Sequence, residues 1–478
     1  KYRVSAGPSY KISSIKYDIE NKEIGNLLFL DTAKSCIKIG SAFNTDSLKA
    51  ERERITRLFK LNGYYYFSTN NIHFYADTLK GDNKVDLILS IQSNENDIDD
   101  AFQRQEIRNV SIFSNYDLNT DDASSSINMF QRDGIKFVYD KKITHNTSVL
   151  LQSCFFKPGD TYSVKNVEDT YSRLSSLKQF RLINIKLVPP SADEILLEGQ
   201  SKRLLDANIY LAPMKRQSFS VELEGSNTSG NFGMAGVLSY KNRNIFKGAQ
   251  IFSAKANISF QTMSFNDSIA TEKKLIFFNT FEYGGELKLT FPKLLVPFFK
   301  NIEVVKKHNP QTQISLSYNY QSRPDYSRSI TKLDFGYIWT GSKNKYLTHK
   351  INPLELYLVK IFTFSEDFMN RIQNLYIKYS YENQFLMVCS YDLVFNNQNL
   401  NTKRDFSYFW MNLETCGNLL HGIYSLSNAA KDDGSYKFLG IEFAQYIKAD
   451  FDYRFYDIIN EKNSIIYRAF FGIGFPYG

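Results

Sequence analysis

The side chains able to carry acid–base or metal chemistry are few in this chain and lie far apart. It has 478 residues but only five histidines, and none of these is spaced as a metal-ligand pair would be. They are His73, His145, His308, His349 and His421. Asp450 and Asp452 lie two residues apart, so a strand would place both carboxylates on one face, as in a general acid–base pair. Because Lys448 and Arg454 would share that face, a salt-bridged polar lining is the favoured interpretation.

Other catalytic and cofactor signatures are missing from the sequence. It has no Gly-x-Gly-x-x-Gly, P-loop or Gly-x-Ser-x-Gly motif. The four cysteines, Cys36, Cys154, Cys389 and Cys416, form no Cys-x-x-Cys pair, which argues against zinc and thioredoxin-like sites. Cys389 and Cys416 would form a disulfide only if their strands were neighbours, and small buried hydrophobes are the favoured interpretation of the four. We therefore expect no enzyme, no catalytic or metal site and no cofactor.

Composition narrows the class of protein further. Lys and Arg total 58 against 50 Asp and Glu, and a net charge of +8 on this length does not indicate a nucleic-acid partner. Aromatic residues make up a high share of the chain, 15%.

No apolar stretch of the sequence approaches the length of a transmembrane helix, about 20 residues. The mean hydropathy of −0.36 still allows membrane strands, since these alternate apolar and polar residues. Lys1 opens no signal-peptide pattern, so we expect a mature or trimmed chain.

The periodicity of the sequence divides the chain into three parts. Residues 1–100 and 101–216 each follow the order strand, helix, strand, strand, which predicts a tandem α+β module. Asn94–Gln105 and Asn119–Gln131 are polar and are predicted to be linker and loop. Helical periodicity is absent from residues 217–478, which predict an all-β domain.

Helices in the two modules are predicted from capping residues and apolar spacing. In the first module, Asp46 or Ser47 would cap a helix, and Gly63 would end it. Glu51 lies in the first turn of this helix and is predicted to face water. In the second module, Lys165–Leu177 is the corresponding helix.

Residues 217–478 contain about eleven runs of alternating apolar and polar residues, each near the about 9–11 residues of a membrane-spanning strand. Clear examples are Ser218–Glu224, Phe252–Gln261 and Glu442–Arg454. Closure into a barrel would remove the exposed edges of such a sheet. Charged residues in mid-strand favour a wet lumen, and thus a transmembrane barrel over a soluble β-sandwich or propeller. The side chains predicted to face lipid are Phe252, Ile258, Phe260, Leu287, Leu289, Phe443 and Phe451.

Several segments resemble one family. Asn44–Phe67 resembles the helix-to-strand core of a POTRA module, with Gly63, Tyr64 and Tyr65 as its motif. Ser218–Gly248 resembles the opening of the bacterial surface antigen barrel of BamA and TamA proteins. The motif residues of that barrel are Tyr240, Asn242, Arg243, Asn244, Phe246 and Gly248. Two later segments, Asn352–Leu356 and Phe471–Gly478, look like internal barrel segments of the TamA-like proteins of Bacteroidetes.

This resemblance implies an outer-membrane assembly factor with periplasmic POTRA modules, each with an exposed sheet edge. Such modules take up an extended client by β-augmentation. Its barrel would have roughly sixteen strands, of which about eleven are present. The family's late Arg-Gly-Phe-type motif is not found, since no Arg-Gly dipeptide occurs. The implied partners are outer-membrane lipid, unfolded barrel clients and a periplasmic protein of the TamB-like or accessory-lipoprotein kind.

The family's barrel opens at the seam between its first and last strands. Here the first strand is Ser218–Glu224, and the gate candidates are Phe219, Val221, Leu223 and Gly225. Gly225–Gly230 is either a weakly paired tail of that strand or the turn that follows it. The alternative function is a two-partner-secretion-type transporter that exports one dedicated protein. A passive porin is disfavoured, since porins do not need POTRA modules.

Overall fold

The computed structural model describes most of the chain. The described residues are 9–78, 81, 83–92, 100–116, 128–140, 142–190, 203–228, 231–262, 278–296, 308–341, 345–373, 381–399, 404–427, 436–438, 440–460 and 462–477. They form two compact units. The first unit ends at residue 213 and the second begins at residue 214, except that residues 177–179 also belong to the second unit. None of the described helices is long and apolar enough to cross a membrane.

The first sheet has three strands in the order β1-β3-β2, with β1 parallel and β2 antiparallel to β3. The elements are β1 (Lys11–Ile19), α1 (Lys22–Phe29), α2 (Thr45–Leu61), β2 (Ile72–Asp77) and β3 (Lys84–Ile91). Both helices contribute to the core, with Ile24, Leu28, Ile55 and Phe59 fully buried. The spacing of the apolar residues of α2 therefore produces the expected buried stripe.

Two details of this part differ from the sequence prediction. The cap of α2 is Asn44, whose side chain accepts the Asp46 N–H at 2.8 Å, because Asn44 is the last residue with extended backbone. Helix α1 was not predicted. It is capped by Asn21, whose side-chain oxygen accepts N–H bonds from Glu23 and Ile24.

The prediction that Glu51 faces water is wrong, since its side chain is only 2% exposed. The segment that follows α1 folds over α2 and covers it. Ser35 Oγ and the Cys36 N–H donate to the carboxylate at 2.9 and 2.7 Å, and Arg54 donates twice, at 2.7 and 2.9 Å. Burial by itself would raise the pKa of Glu51, but these donors outweigh it and the net pKa is lowered.

The second sheet has five strands in the order β5-β6-β4-β8-β7. Its elements are β4 (Glu106–Phe113), β5 (Asn128–Arg132), β6 (Ile135–Tyr139), α3 (Thr147–Ser153), α4 (Val164–Ser176), β7 (Phe180–Val188) and β8 (Leu204–Pro213). Part of the Asn119–Gln131 segment, predicted to be loop, is strand β5. It pairs with β6 around the turn at Asp133 and Gly134, both with positive φ.

The two small sheets share one topology. In each, the first strand lies parallel to the last (β1 with β3, β4 with β8), and the strand after the helices (β2 or β7) pairs antiparallel with that last strand. The second sheet adds the β5–β6 hairpin beside β4. Sequence periodicity had indicated a tandem repeat, and this common topology is what is repeated.

The second unit is dominated by one antiparallel sheet of eleven strands. The strands are β9 (Gln217–Thr228), β10 (Asn231–Asn242), β11 (Ile251–Gln261), β12 (Thr280–Phe291), β13 (Gln311–Ser322), β14 (Tyr326–Thr340), β15 (Leu347–Phe364), β16 (Gln384–Asn396), β17 (Phe406–Cys416), β20 (Tyr446–Asp457) and β21 (Ile465–Pro476). Each pairs with the next strand of this series, so that β17 pairs with β20, and β9 and β21 form the two edges. The predicted antiparallel meander and its count of about eleven strands are confirmed.

Smaller elements connect some of these strands. Helix α5 (Glu366–Arg371) follows β15. Helix α6 (Asn418–Leu426) and the short hairpin β18 (Lys437–Phe438) and β19 (Ile441–Glu442) lie between β17 and β20.

The register gives this sheet one apolar and one polar face. Leu287, Leu316, Leu333, Leu356 and Met387 stand opposite one another across five successive strands. Directly opposed residues of neighbouring strands lie on one face. The pairing therefore places six of the seven side chains predicted to face lipid on this apolar face: Phe252, Ile258, Phe260, Leu287, Leu289 and Phe451.

Phe443 is the exception. The predicted strand Glu442–Arg454 begins only at Tyr446, so Phe443 belongs to the connection before it. Its side chain is 7% exposed and packs with Phe385 and Leu420. A connection that folds back onto the sheet has buried a side chain that alternation assigned to lipid.

All four cysteines are free thiols. Cys389 and Cys416 do lie on neighbouring strands, but Cys416 is opposite Val388 and Cys389 is opposite Thr415. Adjacent residues of a strand point to opposite faces, so the two sulfur atoms lie on different sides of the sheet. The prediction of buried cysteines holds for Cys154 and Cys416, whereas Cys389 is only half-buried and Cys36 is exposed.

Candidate functional site

The first strand of the large sheet presents apolar side chains beside an edge. Within the described residues, β9 pairs only with β10. The gate candidates Phe219, Val221 and Leu223 are 72%, 71% and 85% exposed, all on the apolar face. An edge of this kind offers a row of backbone N–H and C=O groups to a further strand.

A polar turn fixes the beginning of β9 to the end of β10. The Arg243 N–H donates to the carbonyl of Arg216 at 2.8 Å. The Arg243 guanidinium donates to the Lys215 carbonyl and to Ser218 Oγ, both at 3.2 Å. Arg216 donates in return to the Ile245 carbonyl at 3.2 Å. Two guanidinium groups thus hold the two strands together at this end; sequence analysis had named only Arg243.

Buried amides hold the 243–250 turn in shape. Asn242 and Asn244 are each 6% exposed. Asn242 Oδ1 accepts the Asn244 N–H at 3.2 Å, and Asn244 Oδ1 accepts the Ala249 N–H at 3.0 Å. The Gly248 N–H donates to Gln250 Oε1 at 2.9 Å. These bonds satisfy backbone groups that burial would otherwise leave without partners.

The two aromatic residues of the motif lie before this turn, at Tyr240, and within it, at Phe246. The ring of Tyr240 packs against those of Phe219 and Phe252, with centroids 4.9 and 6.4 Å apart. The Tyr240 hydroxyl accepts a bond from Asn242 Nδ2 at 3.3 Å. Phe246 is 63% exposed. The structure therefore brings Tyr240, Asn242, Arg243, Asn244 and Gly248 together around the turn that holds the first strand, whereas Phe246 stays exposed.

The other end of β9 is held to β10 by backbone pairing that continues to the pair Thr228–Asn231. Gly225 pairs with Met234 and Ser226 with Gly233, so the backbone stays in the sheet as far as Thr228. The interpretation of Gly225–Gly230 as a turn is therefore wrong for residues 225–228, and residues 229–230 lie outside the described part. Among the described residues, no side chain from Leu223 to Asn227 makes a hydrogen bond. A Cβ added at Gly225 would meet no atom within 4 Å.

The polar face of the sheet carries ion pairs in mid-strand. Lys332 and Glu355 lie 3.0 Å apart, and Glu355 also accepts bonds from Asn352 and Ser390 at 2.6 and 2.7 Å. Gly336 faces Asn352, and a Cβ at Gly336 would overlap the Asn352 side chain. A bulge in β15 at this point brings these polar groups together.

A second group of ion pairs lies near β21. Asp452 is 4% exposed and accepts bonds from Arg454 at 2.7 Å and Arg468 at 2.8 Å. Lys448 pairs with Asp450 at 2.7 Å. The salt-bridged interpretation of these carboxylates is confirmed. The polar face of β9–β12 is also concave, and lines an open recess of about 400 Å³ beside Ser220, Glu222, Lys255, Glu286 and Lys288.

The Gly-Tyr-Tyr motif lies where the first small sheet meets the second. Gly63 has φ +106°, and its carbonyl accepts the Gln105 N–H at 2.9 Å. Tyr64 is fully buried against Phe59. The Tyr65 hydroxyl donates to the Leu187 carbonyl of β7 at 3.2 Å.

Further contacts support the same junction. The rings of Tyr65 and Tyr162 meet edge to face at 5.1 Å, and burial, aided by Tyr65, raises the pKa of Tyr162 to about 12. Arg57 of α2 and Glu168 of α4 form a two-bond pair, each at 2.7 Å. The sequence predicts that Gly63 ends α2, and the structure shows that this corner also joins the two sheets.

Strands at the edges of the two small sheets are possible sites for an added strand. They are β1 and β2 in the first sheet and β5 and β7 in the second. The beginning of β1 is bonded to residues 40–43, through Ile12 N–H to Ser41 and Phe43 N–H to Tyr10. β2 lies at the other edge, with Tyr75 52% exposed.

No protein-family model matches the chain, and a search of curated proteins found no match. Among solved structures, the chain is similar to CdiB from Acinetobacter baumannii (13% identity, TM-score 0.42) and CdiB from Escherichia coli (11% identity, TM-score 0.46). Each comparison covers 99% of this chain and 70% of the other. BamA from Haemophilus ducreyi lacking POTRA domains 1–3 is 12% identical, with a TM-score of 0.35 over 98% of this chain and 100% of that one.

Proposed function

We propose that this chain is an outer-membrane assembly factor of the BamA/TamA type, which helps other barrel proteins to insert and fold. Its small α+β sheets would lie in the periplasm, and the eleven-strand sheet would be part of a transmembrane barrel. The division of that sheet into an apolar and a polar face supports this placement, because a barrel wall separates lipid from a wet lumen.

The observation that carries the proposal is the edge position of β9, whose outer side pairs with no other strand among the described residues. Its first residues are fixed by Arg216, Arg243 and the 243–250 turn. Its far end, from Leu223 to Thr228, is held by backbone pairing to β10. Because β9 stays paired with β10 along its whole length, it can part from a closing strand on its outer side and return to the same register. While it is parted, its outer edge would template the first strand of a client.

Recognition of the client would depend mainly on backbone hydrogen bonds, which require little of the client's sequence. The exposed Phe219, Val221 and Leu223 would continue the lipid-facing side across the new pair. In the periplasm, β2 is the edge that we propose for initial capture of an extended client. A TamB-like protein or accessory lipoproteins would be the periplasmic partner.

A two-partner-secretion-type transporter is the second candidate. The concave polar face of β9–β12, with Lys255, Glu286 and Lys288, supports it, because a hydrated charged lining suits the passage of an unfolded chain. The two functions place the bound protein at different parts of the large sheet. An assembly factor would hold it at the edge of β9, and a transporter at the polar face.

Site-specific photo-crosslinking in cells distinguishes the two. A photoreactive amino acid would replace Leu223 at the edge, Leu316 on the apolar face of an interior strand, or Lys255 on the polar face. We expect crosslinks to unfolded barrel proteins from position 223 and none from the matched position 316. Crosslinks to one secreted protein from position 255 alone would refute the assembly function and favour the transporter.

A further inference from the structure

The connection between β17 and β20 leaves the sheet abruptly and forms helix α6. The chain turns away at Gly417, which has φ +71° and donates its N–H to the Met387 carbonyl at 2.8 Å. A Cβ at this position would overlap the Ala444 carbonyl, where the chain returns. Only glycine allows both the positive φ and the close approach of the Ala444 carbonyl, so the sequence specifies this exit from the sheet.

One side of α6 packs on the apolar face of the large sheet. Leu420 is 7% exposed and lies in a cluster with Phe385 and Phe443. The strand residues Leu356, Leu358 and Met387 of the apolar face pack against the same cluster. The hydroxyl of Tyr424, one turn after Leu420, donates to the Lys437 carbonyl of the β18–β19 hairpin at 3.3 Å.

A second side of α6 is also apolar and is covered by none of the residues that the structure describes. Leu419, Ile423 and Leu426 follow one another at the spacing of a helix face and are 50%, 53% and 89% exposed. Residues 417–427 contain no Asp, Glu, Lys or Arg, although 23% of the chain is charged. A helix that is apolar on two sides and uncharged is suited to an apolar surrounding and poorly suited to water.

The position of α6 identifies that surrounding. Leu420 rests on the same face of the sheet as Leu287 and Leu316, which the proposed function places against lipid. The exposed side of α6 therefore continues an apolar surface that already faces the bilayer. β17 runs in the same direction as β9, so α6 lies at the end of the sheet where β9 finishes. With periplasmic modules preceding β9, that end is in the outer leaflet.

We propose that α6 is a lipid-embedded helix, packed on the outer wall of the barrel, with Leu419, Ile423 and Leu426 among the acyl chains of the outer leaflet. This inference rests on the proposed membrane placement of the sheet. It assigns to α6 a lipid-binding role that strand alternation does not predict. His421 and Tyr436, whose rings meet at 5.2 Å, are of the amphipathic types found at the border of the hydrocarbon region.

Tryptophan fluorescence in vesicles tests this directly. The chain has two tryptophans, Trp339 and Trp410, which both change to Phe to give a tryptophan-free background. Ile423→Trp in that background reports on α6. Leu316→Trp is the matched control on the apolar face of the sheet. Retention of Trp410, which lies opposite Asp452, provides the control on the polar face.

The purified full-length protein would be reconstituted into vesicles whose acyl chains are brominated, and each single-tryptophan protein would also be titrated with iodide. We expect bromine to reduce the emission of Ile423→Trp as strongly as that of Leu316→Trp, and iodide to quench neither. Trp410 should be insensitive to bromine.

The two controls separate the possible failures. If Leu316→Trp is quenched by bromine while Ile423→Trp is quenched only by iodide, α6 lies in water and the inference is overturned, whereas the membrane placement of the sheet stands. If neither is quenched by bromine, the proposed membrane placement itself is wrong.

Discussion

The corner at Gly63 offers a quantitative test of how the two small sheets are joined. A Cβ at this position would lie 2.9 Å from Thr161 Cγ2 and 3.2 Å from Arg104 Cβ, and the backbone has φ +106°. A residue other than glycine costs about 1–2 kcal/mol for left-handed backbone. Overpacking adds about 1–3 kcal/mol. Gly63→Ala should therefore lower the free energy of unfolding by about 3 kcal/mol, and Gly63→Val by more.

Gly40 provides the matched control. It also has positive φ, at +85°, but a Cβ there would meet no atom within 4 Å. Gly40→Ala should thus lower the free energy of unfolding only by the cost of backbone strain, about 1–2 kcal/mol. Thr161→Ser removes the methyl group that would clash and should restore part of the stability of Gly63→Ala. This coupling between positions 63 and 161 isolates the packing contribution from backbone strain.

Urea unfolding of residues 1–213, followed by far-ultraviolet circular dichroism, measures these differences, since both tryptophans of the chain lie outside this part. If Gly63→Ala destabilises no more than Gly40→Ala, or if Thr161→Ser gives no rescue, the close packing at the junction is refuted.

Three further outcomes are expected. Ile258→Arg should destabilise the barrel in lipid vesicles by about 2–4 kcal/mol if Ile258 lies near the bilayer midplane, whereas Ser259→Arg on the polar face should cost far less; equal losses would contradict the assigned faces. The pKa of Glu51 is lower in the folded than in the unfolded state, so its stabilisation is full above the unfolded value and is lost as the pH falls through the folded value. Glu51→Gln should accordingly flatten the acid side of a pH–stability curve of residues 1–213, and an unchanged curve would exclude this role. Arg243→Ala removes the bond to Ser218 and should speed hydrogen exchange at the beginning of β9 without affecting β13; unchanged exchange would show that the turn does not anchor the strand.

Much of the large sheet was determined by the sequence alone. Alternation with a period of two is a local property, and in a strand it assigns each side chain to a face without knowledge of any partner. It therefore placed residues as distant as Ile258 and Phe451 on one face, and indicated about eleven strands. Fixed spacing likewise located the buried stripe of α2, with Ile55 and Phe59.

The tertiary structure decided what depends on segments far apart in the chain. Glu51 is buried because the connection after α1 folds over it, and Phe443 is buried because the connection before β20 returns to the sheet. Gly63 and Tyr65 have their role because the second small sheet packs against them. Local pattern determines which side of an element is apolar, but only packing determines what covers that side, since burial depends on contacts between residues that the sequence does not place together.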